Sequence, residues 1–244
     1  MRRRTRQGMS TSMSTDENAL YHLLTWLSPS YPVGAFAHSS GVEWAVEAGW
    51  IADRTSLEAW LDAVLTAGAA WNDSVLFVHA YRAALAGDHA ALAEVAELAA
   101  AAHPALERRL ESLAQGDAFR RIALATALEP QATALVNCPD DGLAYPVAVA
   151  SLAAGHAIAL QAALTAYLHA FVANLVSAAQ RLVPLGQTDG QKTILALAPI
   201  VAQAVKRAVA LPPGDPFAFL GSATWMADLA SMAHETQYTR LFRT

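Results

Sequence analysis

One cysteine, Cys138, leaves nothing for it to pair with inside the chain, and a reducing cytoplasm is the compartment that suits this composition. Charge is scarce: Asp, Glu, Lys and Arg make up 15% of the 244 residues, against 55% hydrophobic. That ratio excludes a disordered chain. Of the sixteen basic residues, Arg2, Arg3, Arg4 and Arg6 lie at the extreme N-terminus, so the remaining chain is more acidic than its formal net charge of -5 suggests. An acidic body lacks the basic face of a nucleic-acid binder. No stretch alternates with period two for long enough to make a strand, and nothing repeats at a fixed interval. The phosphate-loop pattern GxxxxGK[ST] and the nucleophile elbow GxSxG are missing. The eight histidines (His22, His38, His79, His89, His103, His156, His169, His234) never fall as HxH, HxxxH or HExxH, so no helix presents two ligands on one face. Asp140-Asp141 reads as a loop pair suited to capping. Neither catalytic nor metal residues emerge.

What is abundant is alanine, which favours helix. Residues 1–15 are polar, basic and aperiodic, and read as a disordered tail. Leu20, Leu23, Leu24 and Leu27 follow at helical spacing as one buried stripe. Thr55 and Glu58 have capping-box spacing, and Asn72 or Asp73 suits the cap of the next helix. Gly116 divides a helix over 106–115 from one over 117–128, with Arg108, Arg109, Glu111, Arg120 and Arg121 on solvated faces. Gly142 to Gln180 holds 39 residues without a charge. Its alanine richness, with Pro146, His156, Gln161, His169 and Asn174, favours a buried helix pair over a membrane hairpin. A last helix is expected over 217–235. The fold expected is all-α, a single-domain bundle of about ten helices over 16–235.

Two stretches interrupt the helical pattern. Ser28 to Gly41 crowds Pro29, Tyr31, Pro32, Gly34 and Phe36 into a loop. The second is a hinge, Leu185 to Gly190, after Pro184 stops one long helix. Thr188 and Gln191 have capping-box spacing for the helix that follows. Gln187 has no such local duty, which leaves its amide free for a partner.

The segments LTWLSPSYPVGAFAHSSGVEWAV, ERRLESLAQGDAFRRIA, YPVAVASLAAGHAI, SAAQRLVPLGQTDGQKTIL and HETQYTRLFR occur in that order. Together they resemble the urease accessory protein UreF family over nearly the whole chain. The resemblance implies an all-helical, non-catalytic chaperone for nickel insertion. It implies a homodimer that bridges UreD (also called UreH) and the GTPase UreG on urease apoprotein and governs GTP hydrolysis and nickel transfer. Nickel is then cargo and GTP belongs to the partner, so no cofactor is bound directly. It also implies that the C-terminal residues form part of the UreD contact. On this basis the candidate partner-binding residues are Tyr31, Gly34, Ser39 and Glu43 from the first interruption. Arg181, Gln187, Thr188 and Gln191 come from the hinge, and Tyr238, Arg240, Leu241, Phe242 and Arg243 from the tail. The tail, 236–244, is expected to be mobile until a partner orders it. A helical enzyme and a membrane hairpin are the alternatives, and neither has a motif behind it.

Overall fold

The computed structural model describes residues 13–127, 130–139 and 142–244; the basic start of the chain and the Asp140-Asp141 pair lie outside them. Eleven α-helices and no strand occur among the described residues: α1 (Thr15–Trp26), α2 (Val42–Glu47), α3 (Arg54–Ala67), α4 (Ala69–Ala86), α5 (His89–Ala101), α6 (Leu106–Thr126), α7 (Thr133–Val136), α8 (Tyr145–Gly155), α9 (Leu160–Leu182), α10 (Gln187–Val209) and α11 (Trp225–His234). The chain is all-α, as its alanine content led one to expect.

The centre is the pair α4 and α8. Every residue of α8 from Pro146 to Ala154 is buried, and α4 is buried on nearly all sides between Ala70 and Ala83. A helix that is apolar all round belongs in the middle of a bundle. Here the short alanine side chains let neighbouring backbones come close. Around this pair, α3, α5, α9 and α10 flank α4, while α6, α7 and α9 flank α8. By length and composition α9 could cross a membrane, but half of its most apolar window is buried within the bundle.

Several local expectations are corrected. The cap of α3 is Asp53, whose carboxylate accepts from the Ser56 N–H at 2.8 Å while Ser56 answers the Asp53 N–H, so Thr55 and Glu58 sit inside the helix. The fourth helix begins directly after Gly68, which places Asp73 within it, buried. On α1 only Leu23 and Trp26 are buried; Leu20 and Leu24 face outward, because one side of this peripheral helix has no neighbour among the described residues. The segment after α10 makes a short 3₁₀ turn, Pro216–Phe219, before α11 begins at Trp225. In α10, Gln187 is already helical and the cap position is Gly186, with no side-chain cap, so Thr188 and Gln191 form no capping box.

Gly116 does not end a helix; α6 runs through it. A Cβ at that position would collide with the Leu143 carbonyl and the backbone of residues 144–145. The glycine therefore serves close approach between α6 and the start of α8. Replacing Gly116 with Ala should cost about 1–3 kcal/mol through overpacking. Gly221→Ala, with open space around its would-be Cβ, should leave the urea midpoint nearly unchanged.

Candidate functional site

The loop over 28–41 is bent by three left-handed residues, Gly34, Ser40 and Gly41, at φ of 78°, 54° and 83°. Glycine adopts this region without strain, whereas serine meets a steric cost there. Ser40 is held in it by its hydroxyl, which accepts from the Arg108 guanidinium at 2.5 Å and lies 3.0 Å from a Glu111 oxygen. Gly41 lies against α11 so closely that a Cβ would meet the Ser231 nitrogen at 2.9 Å.

Arg108 and Glu111, expected on a solvated face, are buried at 7% and 5% exposure. They tolerate burial because they neutralise each other at 2.7 Å and have further polar partners, Ser40 for both and Gln115 for Glu111. One turn earlier, Glu107 faces the fully buried His234: His234 Nδ1 is 2.6 Å from Glu107, and its Nε2 is 2.9 Å from Glu43. A neutral imidazole has one N–H, so only the doubly protonated ring donates to both carboxylates at once.

The C-terminal segment closes this cluster. The N–H groups of Leu241 and Phe242 donate to the two oxygens of Glu43 at 2.6 and 2.9 Å. Arg240 donates to Glu107 at 2.8 Å. The Arg243 N–H reaches the Ala37 carbonyl, the Ser39 N–H reaches the Thr244 carbonyl, and the Thr244 hydroxyl lies 2.6 Å from His38 Nδ1. Residues 240–244 are thus fastened to the body rather than free, since Glu43, Glu107 and His38 each gain hydrogen-bond partners there. Phe242 is buried, while the side chains of Tyr238 and Leu241 point outward.

The hinge joins the same region through Arg181. Its guanidinium lies 3.7 Å from the Phe36 ring centre and 4.2 Å from that of Phe242, and it donates to the Phe36 carbonyl at 3.0 Å. Loop, tail and α9 therefore meet at one cation between two aromatic faces. Gln187 is tied to α9 by a weak hydrogen bond that it accepts from Gln180 at 3.4 Å; Gln187, Thr188 and Gln191 are all exposed. Of the candidate residues, Arg181 and Phe242 meet directly, and Glu43, Ser39, Arg240, Leu241 and Arg243 are joined through the tail's hydrogen bonds. Ser39 and Glu43 are buried and serve the tail, so neither presents its side chain at the surface. Tyr31 is half-buried and lines a cavity of about 260 Å³ between the loop, α6 and α9. Sequence reasoning missed His234, Glu107, Glu111, Arg108 and Phe36. The available signal was the spacing of Glu107 and Glu111 on one helix face in a chain with so few charges.

Asp73 forms part of the cavity wall and accepts from the Tyr167 hydroxyl at 2.8 Å. Burial raises its carboxyl from 3.8 to about 6, against the pull of Arg108.

Residues 51–198 match the sequence profile of the family described as UreF. The chain is 54% identical over 225 residues to the urease accessory protein UreF of Rhodopseudomonas palustris (strain BisA53), covering 92% of this chain and 93% of that one. It is 52% identical over 229 residues to the urease accessory protein UreF of Bradyrhizobium sp. (strain BTAi1 / ATCC BAA-1182), covering 93% of each.

Two measurements test this geometry. Glu43→Ala should strip Leu241 and Phe242 of their acceptor, so their amide hydrogens should exchange at least tenfold faster while α4 and α8 stay protected. Asp73 holds its proton more tightly folded than unfolded, so its contribution to stability falls as pH rises between about 4 and 6. Relative to Asp73→Asn, the wild-type protein should lose about 3 kcal/mol across that window, read from denaturant melts at stepped pH.

Proposed function

This chain belongs to the UreF family of urease accessory proteins, and we propose that it works in urease maturation as a non-catalytic, cytoplasmic chaperone. In this reading it bridges UreD/UreH and the GTPase UreG on urease apoprotein and controls when GTP is hydrolysed and nickel handed over. Nickel passes through the complex as cargo, and GTP is held by the partner.

The observation that carries the reading is the composite surface around Arg181. Phe36 and Leu241 are 66% and 62% exposed, Tyr238 is fully exposed, and Gln187, Thr188 and Gln191 are exposed on the hinge. Exposed aromatic side chains with arginine are the composition of an interface. Phe36 and Leu241 are carried on backbone that hydrogen bonds hold to the body, so little ordering opposes binding there. A second apolar area, Trp225, Met226, Leu229 and Met232 on α11, is exposed as well. Together with the outward leucines of α1 it supplies the surface for a homodimer and for partner contact.

Tyr238→Ala and Leu241→Ala should leave the melting temperature unchanged, because only their outward side chains are removed, yet weaken copurification with UreD at least tenfold. Full-strength complexes from both variants would overturn the assignment of the tail. Gln187→Ala should reduce UreG-dependent urease activation with little change in melting. Thr188→Ala should also be nearly neutral in stability, because Thr188 caps nothing.

A further inference from the structure

The cavity behind Tyr31 carries an excess of negative charge. Asp73, Arg108 and Glu111 share its wall, two carboxylates to one guanidinium, and no lysine or second arginine is among the described residues lining it. Glu111 is saturated by Arg108, Ser40, Gln115 and Thr244. Asp73, buried at 6% exposure, has the Tyr167 hydroxyl as its one side-chain donor. The Tyr31 hydroxyl is shielded from solvent and has no hydrogen-bond partner, although buried polar groups are ordinarily paired. Tyr145, Tyr167 and Phe171 add aromatic faces to a wall that also carries Ser112, Gln115 and Asn174.

A small hard cation is held best by several charged oxygens, and here Glu111 is already taken up by its own partners, which leaves Asp73 as the one carboxylate at hand. An organic cation is suited by the aromatic faces together with one underpaired carboxylate. The cavity is larger than one or two waters require, and Pro29, Phe36 and His169, all exposed, stand at its rim. Phe36 also belongs to the Arg181 stack, so the mouth opens onto the surface assigned above to partner contact.

We propose that this cavity receives an arginine side chain from a protein partner, inserted past Phe36 with its guanidinium between Asp73 and the Tyr31 hydroxyl. The inference rests on the reading that the loop faces a partner. Burying one guanidinium against a single carboxylate in an aromatic pocket is the pattern of an interface hot spot.

The test uses the full-length free chain, titrated with n-propylguanidinium and with its neutral isostere n-propylurea, and followed by the NMR signals of the tyrosine rings. The guanidinium should saturate those signals and the urea should not. Asp73→Asn should weaken binding at least tenfold, and Tyr31→Phe about threefold with unchanged melting. If Asp73→Asn fails to fold by circular dichroism, Tyr31→Phe decides, since its hydroxyl has no internal partner to lose. Equal binding of the urea, undiminished binding by the variants, or preferential saturation by Ni²⁺ would overturn the proposal. In the assembled complex the guanidinium should displace the partner. Saturation without displacement would make the occupant a free small cation and reject the partner side chain. Because the titration needs no partner, its failure is distinguishable from failure of the bridging function.

Discussion

The carboxylate of Glu43 is the contact on which the candidate site depends. It is 6% exposed and accepts from two consecutive tail amides while facing His234. A buried carboxylate without partners is costly by several kcal/mol. His234 meets part of that cost, the two tail amides meet the rest, and the tail in turn brings Phe242 under Arg181. A chain with little charge concentrates much of what it has at this point: Glu43, Glu107, Arg108, Glu111 and Arg240 are all within one connected set of ion pairs and hydrogen bonds.

The alanine-rich centre makes this arrangement possible. Because α4 and α8 lie close together, α6 can pass over the start of α8 at Gly116 and hold Arg108 and Glu111 inside the body. The cavity beside Tyr31 is lined by residues of the loop, α6 and α9, and Glu111 in its wall belongs to the network that anchors the tail. The proposed contact surface and the interior thus share residues, and the surface around Phe36 is braced by buried charge.

Helix content, the helix pair within 142–180 (α8 buried throughout, α9 on one side), the break at Pro184 and the family were legible in the residues themselves. Hydrophobic spacing, proline chemistry and five distinctive segments are local properties, and each survives being read along the chain. The local reading failed where two solutions satisfy the same pattern. Thr55 and Glu58 have the spacing of a capping box for α3, and only the folded backbone showed that Asp53 and Ser56 make it. Gly116 can stop a helix or admit a neighbour, and the nearby Leu143 carbonyl decided it. Leu20 and Leu24 have the spacing of a buried face, but no other element among the described residues covers α1 on that side.

The candidate site shows the division most clearly. By sequence alone, Arg181, Gln187 and the tail aromatics stood out as residues without a local duty, and the loop over 28–41 stood out by composition. That Phe36 and Phe242 enclose Arg181, that Glu43 points inward, and that His234 lies between Glu43 and Glu107 were decided by tertiary structure. The reason is physical. A charged side chain reads as solvated until its partner is known, and here the partners lie 127 to 199 residues apart.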